Sequence, residues 1–186
     1  MIKRTFLVYI AFTAIAFFNI FSNTAYAQAN KPEMRAVWVA TVDNIDWPDN
    51  PTINSEEQRA SFIRLLDMHQ RNGLNAIIMQ IRPATDAMYP SPFEPWSQWL
   101  TGRQGQPPVP YYDPLEFMIH ETHKRGMEFH AWMNPYRAVF NVRSFSITST
   151  HISRIHPEWF LTYGDKKYFN PGNKEAQDYV VSVVKD

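Results

Sequence analysis

Apolar positions fall into three short runs separated by helical stripes. Met34 to Val42 is an almost unbroken apolar run, as are Leu74 to Ile81 and Met127 to Met133. Weak alternation in runs of this length predicts strands buried on both faces, as in a parallel sheet. Between the first two, Ser55-Glu56-Glu57-Gln58 has capping-box spacing, with the Ser55 hydroxyl accepting from the third helical N–H and Gln58 reaching back. Phe62, Ile63 and Leu66, widened by Leu65, follow at helical spacing with His69 or Gln70, and Gly73 is placed to end the helix. Between the second and third, Asp113-Pro114 predicts an N-cap followed by proline at the first helical position. Leu115, Met118, Ile119 and Thr122 make the buried stripe of that helix, and Gly126 its stop.

After Asn134 the pattern is less regular. A short helix is expected before His156-Pro157, then a hairpin pairing Trp159–Tyr163 with Tyr168–Asn170. A last helix from about Asn173 turns Ala176, Tyr179, Val180, Val183 and Val184 inward.

Strands alternating with helices predict an α/β architecture. A doubly wound dinucleotide fold would carry a Gly-x-Gly-x-x-Gly turn after its first strand, and Asp43 to Asn54 contains no glycine. Long connections after each strand, above all Arg82 to Tyr112, fit a β/α barrel, which bears its site on the loops at the strand C-terminal ends. Such a barrel has eight strands and about 250 residues. The expectation is therefore an incomplete TIM-like (β/α)8 barrel, the first three βα units.

The leading segment reads differently. Lys3 and Arg4 precede the uncharged apolar run Phe6 to Phe18, and Ala25-Tyr26-Ala27 has the small-x-small pattern of a cleavage site. The run is shorter than the roughly 20 residues a spanning helix needs. Residues 1–27 are thus expected to be a signal peptide cleaved near Ala27-Gln28, leaving an exported chain, periplasmic or secreted, with no stable membrane span. With no cysteine, neither a lipoprotein linkage nor a disulfide framework is available, so core burial must hold the fold. Basic and acidic side chains balance at 18 each, which gives no electrostatic footprint for nucleic acid.

Candidate chemistry lies at the three strand ends. After the first come Asp43, Asn44, Asp46 and Trp47: hydrogen-bonding groups for hydroxyls and an indole face for a pyranose ring, or equally an Asx-turn loop with a packed Trp. After the second come Gln80, Arg82 and Asp86, with Arg82 beside Asp86 as a positioned ion pair at the site or a structural one holding the loop. His130, Trp132 and Asn134 share parity along the third strand and lead to Arg137. His120-Glu121-Thr122-His123 is one residue short of the zinc-binding His-Glu-x-x-His, so no metal is expected. Neither a Gly-x-Ser-x-Gly elbow nor a P-loop occurs.

Three ordered segments, Met34-Arg-Ala-Val-Trp-Val-Ala-Thr-Val-Asp-Asn-Ile-Asp-Trp-Pro48, Gln80-Ile-Arg-Pro-Ala-Thr-Asp-Ala-Met-Tyr-Pro-Ser91 and His130-Ala-Trp-Met-Asn-Pro-Tyr-Arg137, resemble the first strand-end motifs of the glycosyl hydrolase-like 10 family. Asn170-Pro-Gly-Asn173 before a helix is similar too, and the likeness spans roughly Lys31 to Asp186. The resemblance implies a TIM-like barrel of which residues 28–186 are an N-terminal part, in a bacterial envelope or secreted setting. It implies action on glycosidic bonds of cell-wall or other polysaccharide, without a cofactor. It assigns Trp47 and Trp132 to sugar stacking. Arg82, His130, Asn134 and Arg137 would hydrogen-bond hydroxyls or orient a carboxylate, and Asp43, Asp46 and Asp86 would touch substrate or supply one partner of the carboxyl pair that glycoside hydrolysis uses. The family continues with a fourth strand bearing an acidic Asp-Asp-Tyr-type motif, so the main catalytic carboxylate is expected beyond Asp186 and this chain is expected to lack turnover. The alternative is a carbohydrate-binding protein that is not a catalyst.

Overall fold

The computed structural model describes residues 33–51, 54–143 and 147–186; residues 1–27, expected to be a signal peptide, lie outside them. Met34–Asp186 forms one compact unit. Strands β1 (Ala36–Val39), β2 (Ala76–Arg82) and β3 (Glu128–Met133) make a parallel sheet in the order β1-β2-β3, with Trp38, Ile78 and His130 level across it. Helix α1 (Ser55–Arg71) links β1 to β2, and α2 (Gln98–Thr101) and α3 (Pro114–Lys124) lie between β2 and β3. The main core joins Val39, Ile77, Met79 and Ile81 from one face of the sheet to Phe62, Leu66 and Met118 from the helices.

Asp113 caps α3 as expected, accepting from Leu115 N at 2.9 Å and Glu116 N at 3.2 Å, with Pro114 opening the helix. The cap of α1 shifts by one residue. Asn54, in an extended conformation, accepts from Glu57 N at 2.9 Å, while Ser55 is already helical and buried. Gln58 therefore faces the interior, donating to Leu100 O at 2.6 Å and accepting from Tyr112 Oη at 3.1 Å.

Burial on both faces holds for β2 and fails for its neighbours. Trp38 on β1 is 60% exposed, and β3 is half-exposed along its length. Among the described residues, only the central strand of this sheet has strands on both sides, and the face away from the helices carries Trp38, His130 and Trp132 with little over them.

A second sheet follows β3. Strands β4 (Arg137–Val139), β5 (Phe160–Tyr163) and β6 (Lys166–Phe169) pair antiparallel in the order β4-β6-β5. The hairpin was expected; the third strand, β4, was not. Short helix α4 (Ile152–Ile155) and the terminal α5 (Lys174–Lys185) build a separate core around Ile152, Phe169 and Ala176, joined by Trp159, Phe160 and Tyr179. Asn173 caps α5 through Ala176 N at 2.8 Å. Among the described residues no helix is long and apolar enough to cross a membrane.

Candidate active site

Gln80 joins the ends of β1 and β2. Its Oε1 accepts from Thr41 N at 3.0 Å and Val42 N at 2.9 Å, and Thr41 Oγ1 returns a bond to Gln80 O at 3.0 Å. The chain leaves β1 through a tight turn with Asp43 and Asn44 at φ 57° and 52°, a region that Asp and Asn tolerate better than most residues. Asp43 stays exposed. Asn44 instead secures the loop, its Nδ2 donating to Pro48 O and Trp99 O at 2.8 Å each. Asp46 bends back to accept from Ala40 N at 2.8 Å.

Trp47 corrects the stacking assignment. It is 1% exposed, packs edge-on to Phe62 at 5.7 Å between centroids, and donates from Nε1 to Ser61 Oγ at 3.1 Å. With both ring faces in the core and its polar atom satisfied, it has no face to offer a sugar.

At the end of β2 the expected pairing also changes. Arg82 grips Glu94, not Asp86. Nε donates to Oε2 at 2.7 Å and a second nitrogen to Oε1, while Nη1 donates to Asn134 O at the end of β3. The pair is sealed, with side chains 1% and 0% exposed. Glu94 reaches Arg82 because the Arg82–Tyr112 segment folds back on itself through the Ala87–Trp96 bridge and the bond from Ser97 N to Ala87 O at 2.8 Å. Burial pushes the Glu94 carboxyl upward; the Arg82 charge and hydrogen bonds oppose it.

Asp86 occupies a different niche. It accepts from Ala84 N at 3.1 Å and Gln104 Nε2 at 3.4 Å. Burial raises its pKa to about 7, against the lowering effect of hydrogen bonds from Ser97 and Gln104. Between Ala84 and Asp86, Thr85, fully buried, sits at φ 56°, a strained conformation for a β-branched residue. Its hydroxyl donates to Arg137 O at 3.0 Å, and Arg137 N donates to Asn134 Oδ1 at 3.1 Å. Gln104 carries the network onward, accepting from Thr148 N at 3.1 Å. Nearby His151 caps α4 through Ser153 N at 3.2 Å, and burial drops its pKa to about 4.

His130 lies lower, level with Ile78 in mid-strand, half-exposed with Nε2 at 3.0 Å from Glu128 Oε2. Trp132, one step nearer the rim, meets Trp38 edge-to-face at 5.1 Å and 81°.

The structure thus links Arg82, Asn134 and Arg137 in one hydrogen-bonded path, with Asp86 in the same turn as Thr85. Asp43 and Asn44 stand at the adjoining β1 end, and His130 and Trp132 share the open sheet face. Trp47 turns into the core, and Asp46, though exposed, is tied back to Ala40 N. Sequence reading passed over Glu94, Gln104 and His151. A carboxylate in Pro92-Phe93-Glu94-Pro95-Trp96, charged among apolar and proline neighbours, is the signal that would have found Glu94.

Parallel strands joined through helices, with a shared polar cluster at their C-terminal ends, define an α/β protein. The chain belongs to the family described as Glycosyl hydrolase-like 10, which matches residues 33–186. It is 48% identical over 163 residues to the Bacillus subtilis protein named Glycosyl hydrolase YngK, covering 87% of this chain and 31% of that protein. It is 38% identical over 176 residues to Escherichia coli Glycosyl hydrolase DigH, covering 86% of this chain and 40% of that protein. The chain therefore spans between about a third and two-fifths of these curated relatives. Among solved structures it is similar to an α-galactosidase from Lactobacillus brevis, with TM-score 0.49 and 12% identity, over 84% of this chain and 19% of that one.

Proposed function

We propose that this chain forms the first three βα units of a TIM-like barrel acting on glycosidic bonds of bacterial cell-wall or other polysaccharide. In this reading residues 1–27 direct export and are removed, and the mature protein works in the periplasm or outside the cell. The observation that carries the reading is the path Glu94–Arg82–Asn134–Arg137, which fixes polar groups at the C-terminal ends of adjacent parallel strands in a chain of this family.

Glycoside hydrolysis uses two carboxyl groups about 5–5.5 Å apart for retention or about 6.5–9.5 Å for inversion. The cluster holds Asp86 and Glu94 buried, and Glu94 is neutralised by Arg82. A carboxyl without access to substrate positions other groups; it does not protonate a leaving oxygen. These strand ends therefore bind and orient the glycan, Asp43 is the carboxylate within its reach, and the catalytic acid comes from a later strand.

The test is reducing-end release from purified glycan strands. The 186-residue chain should release none, whereas a product with further in-frame strands should be active. Release by the 186-residue chain would overturn this division of labour. Saturable glycan binding with no release from either product would favour the non-catalytic reading, which the burial of Asp86 and Glu94 supports.

A further inference from the structure

Tyr136 lies in the short connection between β3 and β4, and the backbone on either side of it is tied down. Asn134 N–H donates to Arg82 O at 2.9 Å, and Phe169 N–H of β6 donates to Tyr136 O at 2.8 Å. Arg137 N–H donates to Asn134 Oδ1 at 3.1 Å, and Arg137 O accepts from Thr85 Oγ1 at 3.0 Å. Pro135 fixes its own φ and restricts the backbone of Asn134. The connection is thus clamped to the β2 exit and to β6 at once.

Its aromatic side chain is left open. The Tyr136 ring is 47% exposed, and among the described residues it packs on no other ring and its hydroxyl makes no hydrogen bond. A lone exposed apolar side chain is ordinary on any surface. Place sets this one apart: it follows the C-terminal end of β3, the end at which a barrel carries its site, between Asn134 and Arg137 of the polar path. The other exposed rings are differently engaged. Trp38 is level with Ile78 and His130 in mid-strand and meets Trp132 edge-to-face, at a depth where barrel interiors are filled by layers of side chains. Phe93 meets Tyr179 and Tyr111 meets Trp96, each at 6.4 Å and 87°. Tyr163 is 82% exposed but belongs to the β5–β6 hairpin of the second sheet.

A sugar ring has an apolar C–H face and a rim of hydroxyls. An aromatic face covers the first, and a phenol at its edge bonds to the second. Tyrosine does so at low entropic cost, having two χ angles, and a backbone already fixed lowers that cost further.

We propose that Tyr136 is the stacking platform of the glycan site, the role expected of Trp47: one pyranose ring lies on its face, and its hydroxyl bonds to a sugar hydroxyl. This assignment rests on the glycan reading above and adds to it the position at which a sugar ring is held.

Tyrosine nitration by tetranitromethane, mapped by peptide mass, tests it on the unmodified chain with and without saturating purified cell-wall glycan strands, with binding read separately by calorimetry. Glycan should slow nitration of Tyr136 several-fold and leave that of Tyr163 unchanged. Calorimetric affinity should fall about tenfold in Tyr136→Leu, which keeps apolar bulk without an aromatic face. Tyr136→Phe keeps the face and should retain most of the affinity. Both variants should keep the denaturation midpoint, because the ring is not part of either core. Bound glycan that leaves Tyr136 as reactive as before would overturn the assignment while leaving the glycan reading intact. So would a Tyr136→Leu chain that binds like the unmodified one. A loss in Tyr136→Phe equal to that in Tyr136→Leu would place the contact on the hydroxyl and overturn the platform. Equal protection of Tyr136 and Tyr163 would mark general shielding by the polymer and overturn it too. No heat of binding from the unmodified chain would sink the glycan reading together with this one.

Discussion

Arg82 and Glu94, twelve residues apart in sequence, form a two-pronged ion pair sealed from solvent at the end of β2, and Arg82 turns its third nitrogen to the Asn134 carbonyl at the end of β3. One guanidinium thereby holds two strand ends and the long β2 loop in register. A buried pair of this kind contributes little net stability over an apolar replacement, because desolvation offsets attraction; what it secures is geometry.

Breaking one side should therefore cost more than removing both. Glu94→Ala leaves the Arg82 charge buried without a partner, and a loss of about 3–5 kcal/mol is expected by urea denaturation. Arg82→Met with Glu94→Leu should recover a large part of that loss, while glycan binding stays impaired because the strand ends are no longer tied. A double variant no more stable than Glu94→Ala would show that the pair is not the buried unit described.

Asp86 and His151 predict opposing pH dependence. Asp86 has its folded pKa raised from 3.8 to about 7, so the folded state holds the extra proton between those values, and its stabilising contribution is lost as pH rises through about 7. His151 has its folded pKa lowered from 6.5 to about 4, so its contribution is present above 6.5 and is lost as pH falls through about 4. Between about pH 4 and 6.5 the two slopes oppose each other and the unmodified chain should respond weakly. Asp86→Asn, which mimics the neutral acid, should leave stability rising with pH in that window. His151→Asn should leave it falling. Each swing is on the order of 3–4 kcal/mol at most. Denaturation midpoints at pH 4.5 and pH 6.5, set within that window, check both, and parallel behaviour of the two variants would refute the burial of one or the other.

How far such features were legible follows from how local they are. Asp113-Pro114 and the Phe62–Leu66 stripe declare themselves within a few residues, and the structure follows them. Asn54 and Ser55 are both good caps, and the choice between them depends on a backbone torsion, so the cap moved by one. Arg82 had an acid four residues away in Asp86; its true partner arrives through the chain reversal at Ala87–Trp96, which no local pattern announces. Strand β4 has three residues, too few to show alternation. The indole of Trp47 looked available because acids and amides surround it in sequence, but the turn after β1 sends the ring under α1.

That last point has its own test. If Trp47 is a core residue, Trp47→Ala should cost about 3–5 kcal/mol of stability. Trp47→Phe, which keeps the packing against Phe62 and forfeits the bond to Ser61, should cost about 1 kcal/mol. Glycan affinity of the folded Phe variant should match that of the unmodified chain. A Trp47→Phe protein that folds with full stability and loses binding would restore the ring to the sugar site.

Thr85 offers a test of how the β2 exit is held. Its φ of 56° costs a β-branched residue about 1–2 kcal/mol, and its hydroxyl repays part of that through Arg137 O at 3.0 Å. Thr85→Ala keeps most of the backbone penalty and loses the bond, so it should be destabilised by about 1 kcal/mol. Thr85→Gly loses the same bond but relieves the torsion, a gain partly cancelled by the greater freedom of glycine in the unfolded chain. The expected order of denaturation midpoints is therefore Thr85 highest, then Gly, then Ala, an inversion of the usual advantage of alanine over glycine. Alanine more stable than glycine at this position would mean that the turn is not in the left-handed region.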